Sequence, residues 1–462
     1  MVDVPTARLK AAVVAHHLRL LGAPATNVLG TPDRPVVVVS AAVAVEQLRS
    51  GDIELPRILV ALDSGDADLG ELGVRALGPS AGARHVRFGG MEESAWRQAR
   101  SLHDVRVYEC EGRHDAIAIA SDGRPCWVRL QKNDCTVLVI GTDLGADLIR
   151  YRQGDPARTT HRTDAPMWGI GGERPLYLYE EQIPAGEEHE RQADWWSMAL
   201  AETVAKLLPH SLQPLAPEGA PGLLVVTGDD DQALLDKYDE QLARLQKLPV
   251  TYFLHPQTRH TPQTMRRIAD THRVEWGLHP DALDRPDQYA DAYREQSAWF
   301  ETLAGCRPDS VRNHGYLNDG YWGHLPVWLE HDVRVSANLP GINGRILNGS
   351  LLPARMAWQG ELTRHWSILT AIGDGVRFAL GMSRAESAQC ILDLANRIVT
   401  SKLPGVIVVN LHPQNVSDVT EMHDVLHEVV GRLGFHPMAL SLCINWFERR
   451  DLVLSGPHQQ HA

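Results

Sequence analysis

From residue 222 onward the chain repeats one pattern: about five consecutive apolar, mostly β-branched residues, then a stretch with apolar residues every three or four positions. The short runs are LLVVT (223–227), VTYFL (250–254), VEWGL (274–278) and VIVVN (406–410), with shorter ones at 310–312 and 333–337. Helical spacing fills 232–247, the region around 264–271, 287–304 and 422–433. Apolar runs this short suit strands buried on both faces, as in a parallel sheet covered by helices. Such alternation over about 240 residues fits one (β/α) barrel, with a doubly wound open sheet as the competitor. Residues of catalytic type fall at several different strand ends, as in barrels; open sheets concentrate theirs at one switch point.

The segment LQPLAPEGAP (212–221) interrupts the pattern with three prolines and a glycine, a density that neither a helix nor a central strand tolerates. Upstream, apolar runs at 35–40, 57–62, 116–120 and 136–140 and a helix-like stretch at 193–208 read as another α/β unit with a largely parallel sheet. The expected organisation is therefore an α/β domain over 1–211, a linker over 212–221 and a barrel over 222–455.

Among 462 residues, 45 Lys and Arg face 58 Asp and Glu, a net charge of −13. That balance excludes a general nucleic-acid binder and adhesion to anionic membranes. No run of about 18 apolar residues is present to span a membrane, and the first residues do not form a signal peptide. The six cysteines are scattered without a CxxC pair, which suits small core residues in a reducing, cytoplasmic setting.

Thr227-Gly228-Asp229-Asp230-Asp231 places three adjacent carboxylates at a strand end. Adjacent carboxylates repel unless a cation or hydrogen-bond donors offset them, so the run reads as a metal site plus a general base, or as a solvated helix cap. His279, Arg312, His314 and His412 stand at other strand ends; singly each is an ordinary residue, and position is what joins them. Arg312 is placed to pair with one of the aspartates and hold it ionised. Asp374, in AIGDGV, is either a turn residue or an orienter of His412. The Asn-, Gly- and Arg-rich stretch 336–355 reads as a long loop over the mouth, with Asn338, Asn343, Asn348 and Arg355 as sugar-binding donors or turn residues.

In this order and at these separations, strand–TGDDD, strand–EWGLH, strand–RNHG and strand–NLHP resemble the polysaccharide deacetylase superfamily, the NodB-homology group of family 4 carbohydrate esterases. The resemblance implies a distorted (β/α) barrel of the NodB type that removes acetyl groups, commonly from amino sugars, with a bound divalent metal. Carried over residue by residue, it makes Asp229 the base, Asp230 a metal ligand, His279 the first histidine of the H-S/T-x-x-H motif, Arg312 the orienter of the base and His412 the general acid. The second motif departs from the family: its hydroxyl residue is Pro280, and its second histidine is Leu283, which cannot ligate. His314 is the preferred replacement, with Asp281 and Asp284 as further candidates. Asp230, His279 and His314 then form the expected metal set, zinc being the expected ion, and Tyr316 is an oxyanion contact.

The N-terminal half resembles glutamine-amidotransferase-like, flavodoxin-type domains through 122–151, DGRPCWVRLQKNDCTVLVIGTDLGADLIRY. No G-x-C-x-G elbow surrounds Cys110, Cys126 or Cys135, so a non-catalytic domain is expected. GIGGERP (169–175) does not match GxGxxG, so no nucleotide site is expected. The leading expectation is a metal-dependent deacetylase of a small N-acylated sugar or glycoside. The alternatives are a metal-free amidase, which Leu283 favours, and a non-catalytic carbohydrate-binding protein; homodimerisation is left open.

Overall fold

The computed structural model describes residues 5–30, 34–51, 54–63, 65, 67–80, 84–88, 99–110, 115–155, 190–209, 211–318, 321–341, 346, 349–375 and 381–455. GIGGERP, Asn343 and Asn348 lie outside them.

Two large sheets organise the chain. The C-terminal sheet runs Ala354–Trp358, Glu361–Thr370, Val335–Pro340, Ser310–Val311, Val274–Leu278, Val250–Leu254, Leu223–Asp229, Val406–Asn410 and Ile372–Gly373, with His436–Met438 beside Leu223–Asp229. All neighbours are parallel except the Ala354–Trp358 and Glu361–Thr370 pair. Glu361–Thr370 pairs with Val335–Pro340, and through Ala371, whose N–H donates to Val408 O at 2.9 Å, the chain continues into the strand beside Val406–Asn410. One continuous stretch thus stitches the two edges of a curled sheet.

Alternation decides what each strand residue faces. On Leu223–Asp229, Leu224 and Val226 pack into the layer of helices outside the curl, with Tyr238, Leu242 and Leu245. Leu223 and Val225 belong to the inner core, with Phe253, Val335, Ala337, Val406 and Val408. That inner face is apolar near the strand starts and turns polar near their ends: Thr227 and Asp229 follow Val225, and Asn410 follows Val408. Helix ends are fixed locally; Thr261 and Thr264 form a reciprocal capping box around Pro262, where a missing N–H costs nothing.

The two ends of the stretch 336–355 are strand rather than loop. Residues 336–340 lie within Val335–Pro340, and 354–355 open an antiparallel hairpin turned by Gln359 and Gly360, with φ of 47° and 82°. A two-residue turn with both φ positive matches strand twist, so Arg355, like Asn338, sits on a paired strand.

The N-terminal sheet runs Ala25–Thr26, Val36–Ser40, Ile58–Leu62, Cys135–Ile140, Pro125–Lys132, Asp115–Ala120, His85–Phe88 and Ala99–Arg100. Only the first four strands are mutually parallel; the rest form an antiparallel meander, which corrects the expectation of a largely parallel, flavodoxin-type sheet. The cause is short connections: Asp122-Gly123, with Gly123 at φ 86°, and Asn133, at φ 51°, turn the chain where a parallel crossover needs a dozen residues or more.

The halves share one continuous apolar cluster, in which Val14, Leu18 and Trp196 pack in the same core as Trp366, Leu440 and Phe447. Helix Leu144–Gln153 also docks on the curled sheet: Gln153 donates to Ala357 O at 2.8 Å and its carbonyl accepts from Trp322 Nε1 at 2.8 Å. Cys126, Cys135 and Cys443 are buried as free thiols, whereas Cys306 is exposed.

Candidate active site and metal centre

A cavity of about 230 Å³ opens where the strands of the curled sheet end, and every lining residue lies between positions 229 and 415. The N-terminal half contributes none of the described lining.

Asp229 ends its strand on the inward side and is buried. Arg312 Nη1 donates to its Oδ1 at 2.8 Å, and Asn410 Nδ2 to its Oδ2 at 2.7 Å. Every nitrogen of the guanidinium is engaged, with further bonds donated to Thr227 Oγ1 and Thr370 Oγ1, each at 2.9 Å, and to Ala337 O at 3.2 Å. It also lies 4.5 Å from the Phe253 ring centroid. Burial alone would raise the Asp229 pKa; the Arg312 charge, backed by His279 and His412, outweighs it and holds the carboxyl below its usual range.

His412 lies beyond the end of Val406–Asn410. Its Nδ1 hydrogen-bonds Asp374 Oδ1, and its backbone N–H donates to Asp374 Oδ2 at 2.8 Å. The orienting role for Asp374 therefore has its geometry. Nε2 points into the cavity, 3.6 Å from Asp229 Oδ2 and 3.4 Å from Asp231 Oδ2. Burial would lower this pKa; Asp374, and behind it Asp231 and Asp229, raise it to about 10.

Asp230, the expected metal carboxylate, is not brought to the histidines. Asp230 follows Asp229 with opposite parity, turns to the outer helical layer and accepts a hydrogen bond from the Tyr238 hydroxyl. It is absent from the cavity lining, and burial raises its pKa despite that bond. Asp231 faces the mouth instead, swung inward by left-handed backbone at Asp231 (φ 39°) and Gln232 (φ 64°). Its Oδ1 lies 3.3 Å from His279 Nε2 and 3.8 Å from His314 Nε2, and the three residues are close enough to hold one ion.

The chemistry of this set fits a cation. Asp231 Oδ1 is buried and makes no well-aligned hydrogen bond. His279 Nδ1 donates to Arg312 O at 2.6 Å, so in the neutral ring Nε2 presents a lone pair toward Asp231. Burial would lower the His279 pKa, yet Asp229 and Asp231 raise it: the carboxylates favour positive charge here, supplied by a proton or by a metal ion. An Asp/His/His set of this kind suits a hydrolytic zinc site.

Tyr316 lines the cavity with its ring 5.8 Å from the Arg312 guanidinium, and burial pushes its hydroxyl up to about 12. Of the four expected sugar donors, the two among the described residues, Asn338 and Arg355, are not brought to the mouth. Asn338 is buried in Val335–Pro340, where its amide accepts from Asn313 N at 3.0 Å and donates to Leu317 O at 3.1 Å. Arg355 faces the N-terminal half, its Nη2 3.4 Å from Asp451 and its backbone N–H donating to His16 Nε2 at 3.2 Å. Both face away because the strands around them, rather than a loop, set their directions. Asp231 and Asn410 have no separate role in the sequence reading; strand parity counted from Val408 finds Asn410, whereas Asp231 lies beyond the end of its strand, where left-handed backbone sets its direction.

No family model and no curated protein matches this sequence. Solved structures of polysaccharide deacetylases are similar to it over about half its length. A protein from Mycobacterium smegmatis assigned as a polysaccharide deacetylase is 16% identical, with 54% of this chain and 97% of that one covered at a TM-score of 0.40. A peptidoglycan deacetylase from Bacillus subtilis is 12% identical, with 50% and 93% covered at 0.31. The chitin deacetylase from Colletotrichum lindemuthianum is 17% identical, with 48% and 88% covered at 0.33.

Proposed function

We propose that this protein is a metal-dependent hydrolase that removes an acetyl or similar acyl group from an N-acylated sugar or sugar-containing metabolite. One observation carries the reading: in a single cavity, a buried carboxylate clamped by an arginine and an imidazole oriented by a second carboxylate flank three converging ligand atoms. Binding a sugar requires neither the clamp nor the oriented imidazole.

Asp231, His279 and His314 would hold the ion, zinc being the expected one. When bound, such an ion supplies Lewis-acid polarisation of the acyl carbonyl and acidifies water. Asp229, kept ionised by Arg312 and Asn410, accepts the proton of the attacking water. His412, protonated at neutral pH because Asp374 stabilises the imidazolium, donates from Nε2 to the departing nitrogen as the C–N bond breaks. Tyr316 borders the same space and is placed to contact the acyl group. The proposed division of labour gives this chemistry to 222–455 and a supporting, non-catalytic role to 1–211.

The test is acetate release from a panel of N- and O-acetylated sugars by zinc-loaded protein, beside Asp229→Asn. Release by the wild type, reduced at least about 100-fold in the variant, supports the reading. Sugar binding without release from any panel member contradicts it and leaves a carbohydrate-binding protein.

A further inference from the structure

His314 has a carboxylate on each side. Its Nε2 lies 3.8 Å from Asp231 Oδ1 and its Nδ1 lies 3.3 Å from Asp281 Oδ2, off the ideal hydrogen-bond line. A neutral imidazole carries one proton, and the nitrogen that holds it cannot be a ligand. Whatever fixes that proton therefore decides whether His314 can complete the metal set.

Asp281 is firmly held. Its backbone N–H donates to Gln296 Oε1 at 2.8 Å, Gln296 Nε2 returns a bond to Asp281 O at 2.6 Å, and its Oδ1 accepts from Leu283 N at 3.1 Å. Its Oδ2 lies 3.1 Å from His255 Nε2. The direction of that last bond is settled by the other side of the His255 ring, where Nδ1 accepts from Gln257 N–H at 3.1 Å. The His255 proton is thus on Nε2 and points at Asp281.

His255, Asp281 and His314 also lie close enough together to hold an ion. With its proton on Nε2, His255 presents no lone pair there, so the group reads as a hydrogen-bonded relay rather than a second metal site. We infer that His255 and Asp281 are positioning residues that hold the His314 proton on Nδ1, so that its Nε2 lone pair is committed to the ion beside Asp231 and His279. Leu283 contributes only its backbone N–H, and the device it supports supplies a ligand from the neighbouring strand end. The inference rests on the metal reading above and extends it to the second layer of the site, where carboxylate–histidine contacts orient ligands and tune their affinity.

The test uses the full chain, with Zn²⁺ itself as the probe and ¹⁵N NMR of the metal-free protein as a readout independent of activity. The expected results are His314 as the Nδ1–H tautomer in the wild type and Zn²⁺ binding weakened about 10–100-fold by Asp281→Asn. His255→Gln, which leaves the carboxylate in place, is expected to weaken binding less and guards against a folding defect in the first variant. Wild-type Zn²⁺ binding that Asp281→Asn leaves within twofold, or an Nε2–H tautomer in the wild type, overturns this inference alone. A wild type that binds no Zn²⁺ overturns the metal reading and this inference together.

Discussion

The buried charges at the junction of the two halves and those at the mouth of the curled sheet are built differently. At the junction of the two halves, Asp451 Oδ1 receives His16 Nδ1 at 2.9 Å and Arg19 Nε at 2.6 Å, while Arg355 Nη2 stands 3.4 Å from Oδ2. Nearby, Asp194 Oδ1 accepts from Ser350 Oγ at 2.7 Å, and its Oδ2 from Arg191 Nε at 2.9 Å and Leu351 N at 2.8 Å. Both carboxylates are met by donors here, as buried polar groups require, although Arg355 Nε finds no hydrogen-bond partner among the described residues. At the mouth of the curled sheet, Asp231 Oδ1 makes no well-aligned hydrogen bond and His279 Nε2 stands 3.3 Å from it, so the pair calls for a proton or a cation between them. Burial is common to both clusters, so burial alone does not mark the functional one. The convergence of a carboxylate and two imidazoles on one cavity is what we take to mark it.

This contrast can be broken or sharpened by substitution. The largest expected effect is on turnover: Asp229→Asn should cost about 100- to 10,000-fold in kcat, measured by acetate release. At the junction the effect should fall on stability instead. Asp451→Ala leaves Arg19 buried beside an empty place and should cost about 3–5 kcal/mol in denaturant unfolding, while Zn²⁺ affinity is unchanged. An Asp451 variant that lost zinc as well would show the two clusters to be coupled.

Acid should separate them next. Burial lowers the His16 pKa to about 4, outweighing the attraction of Asp451, and burial likewise lowers His365 to about 4 and His324 to about 3. These rings are neutral in the folded chain, so between pH 6.5 and about 4 the unfolded chain binds more protons and stability falls as pH falls. A fully buried ring shifted as far as His16 contributes about 3 kcal/mol to that fall, read from unfolding free energies across the window. His412 has the opposite sign: its raised pKa keeps it protonated throughout and adds nothing to the loss in this window. The smallest effect is at the rim, where Tyr316→Phe should reduce turnover by less than tenfold while leaving zinc content intact.

Much of the C-terminal half was legible because its strands are five-residue apolar runs separated by turn residues. Val250–Leu254, Val274–Leu278 and Val406–Asn410 begin and end where the pattern says. The positions of Asp229, His279, Arg312 and His412 at strand ends follow from those boundaries. Less legible was which of three consecutive aspartates points inward, since that depends on parity and on left-handed backbone at Asp231 and Gln232, which nothing in the residue types requires. The hairpin at Ala354–Trp358 was hidden because its alternating polar residues look like a loop when no partner strand is known. The direction of the N-terminal meander is not legible for a different reason: apolar runs reveal strands but not their direction, which the Asp122-Gly123 turn sets.

The central claim is that Asp231, not its neighbour Asp230, joins His279 and His314 around a metal ion. It is tested most directly by zinc content of the purified protein after reconstitution, beside Asp231→Asn and Asp230→Asn. The account predicts about one zinc per chain in the wild type and in Asp230→Asn, and none in Asp231→Asn. Zinc retained by Asp231→Asn and lost from Asp230→Asn would contradict it.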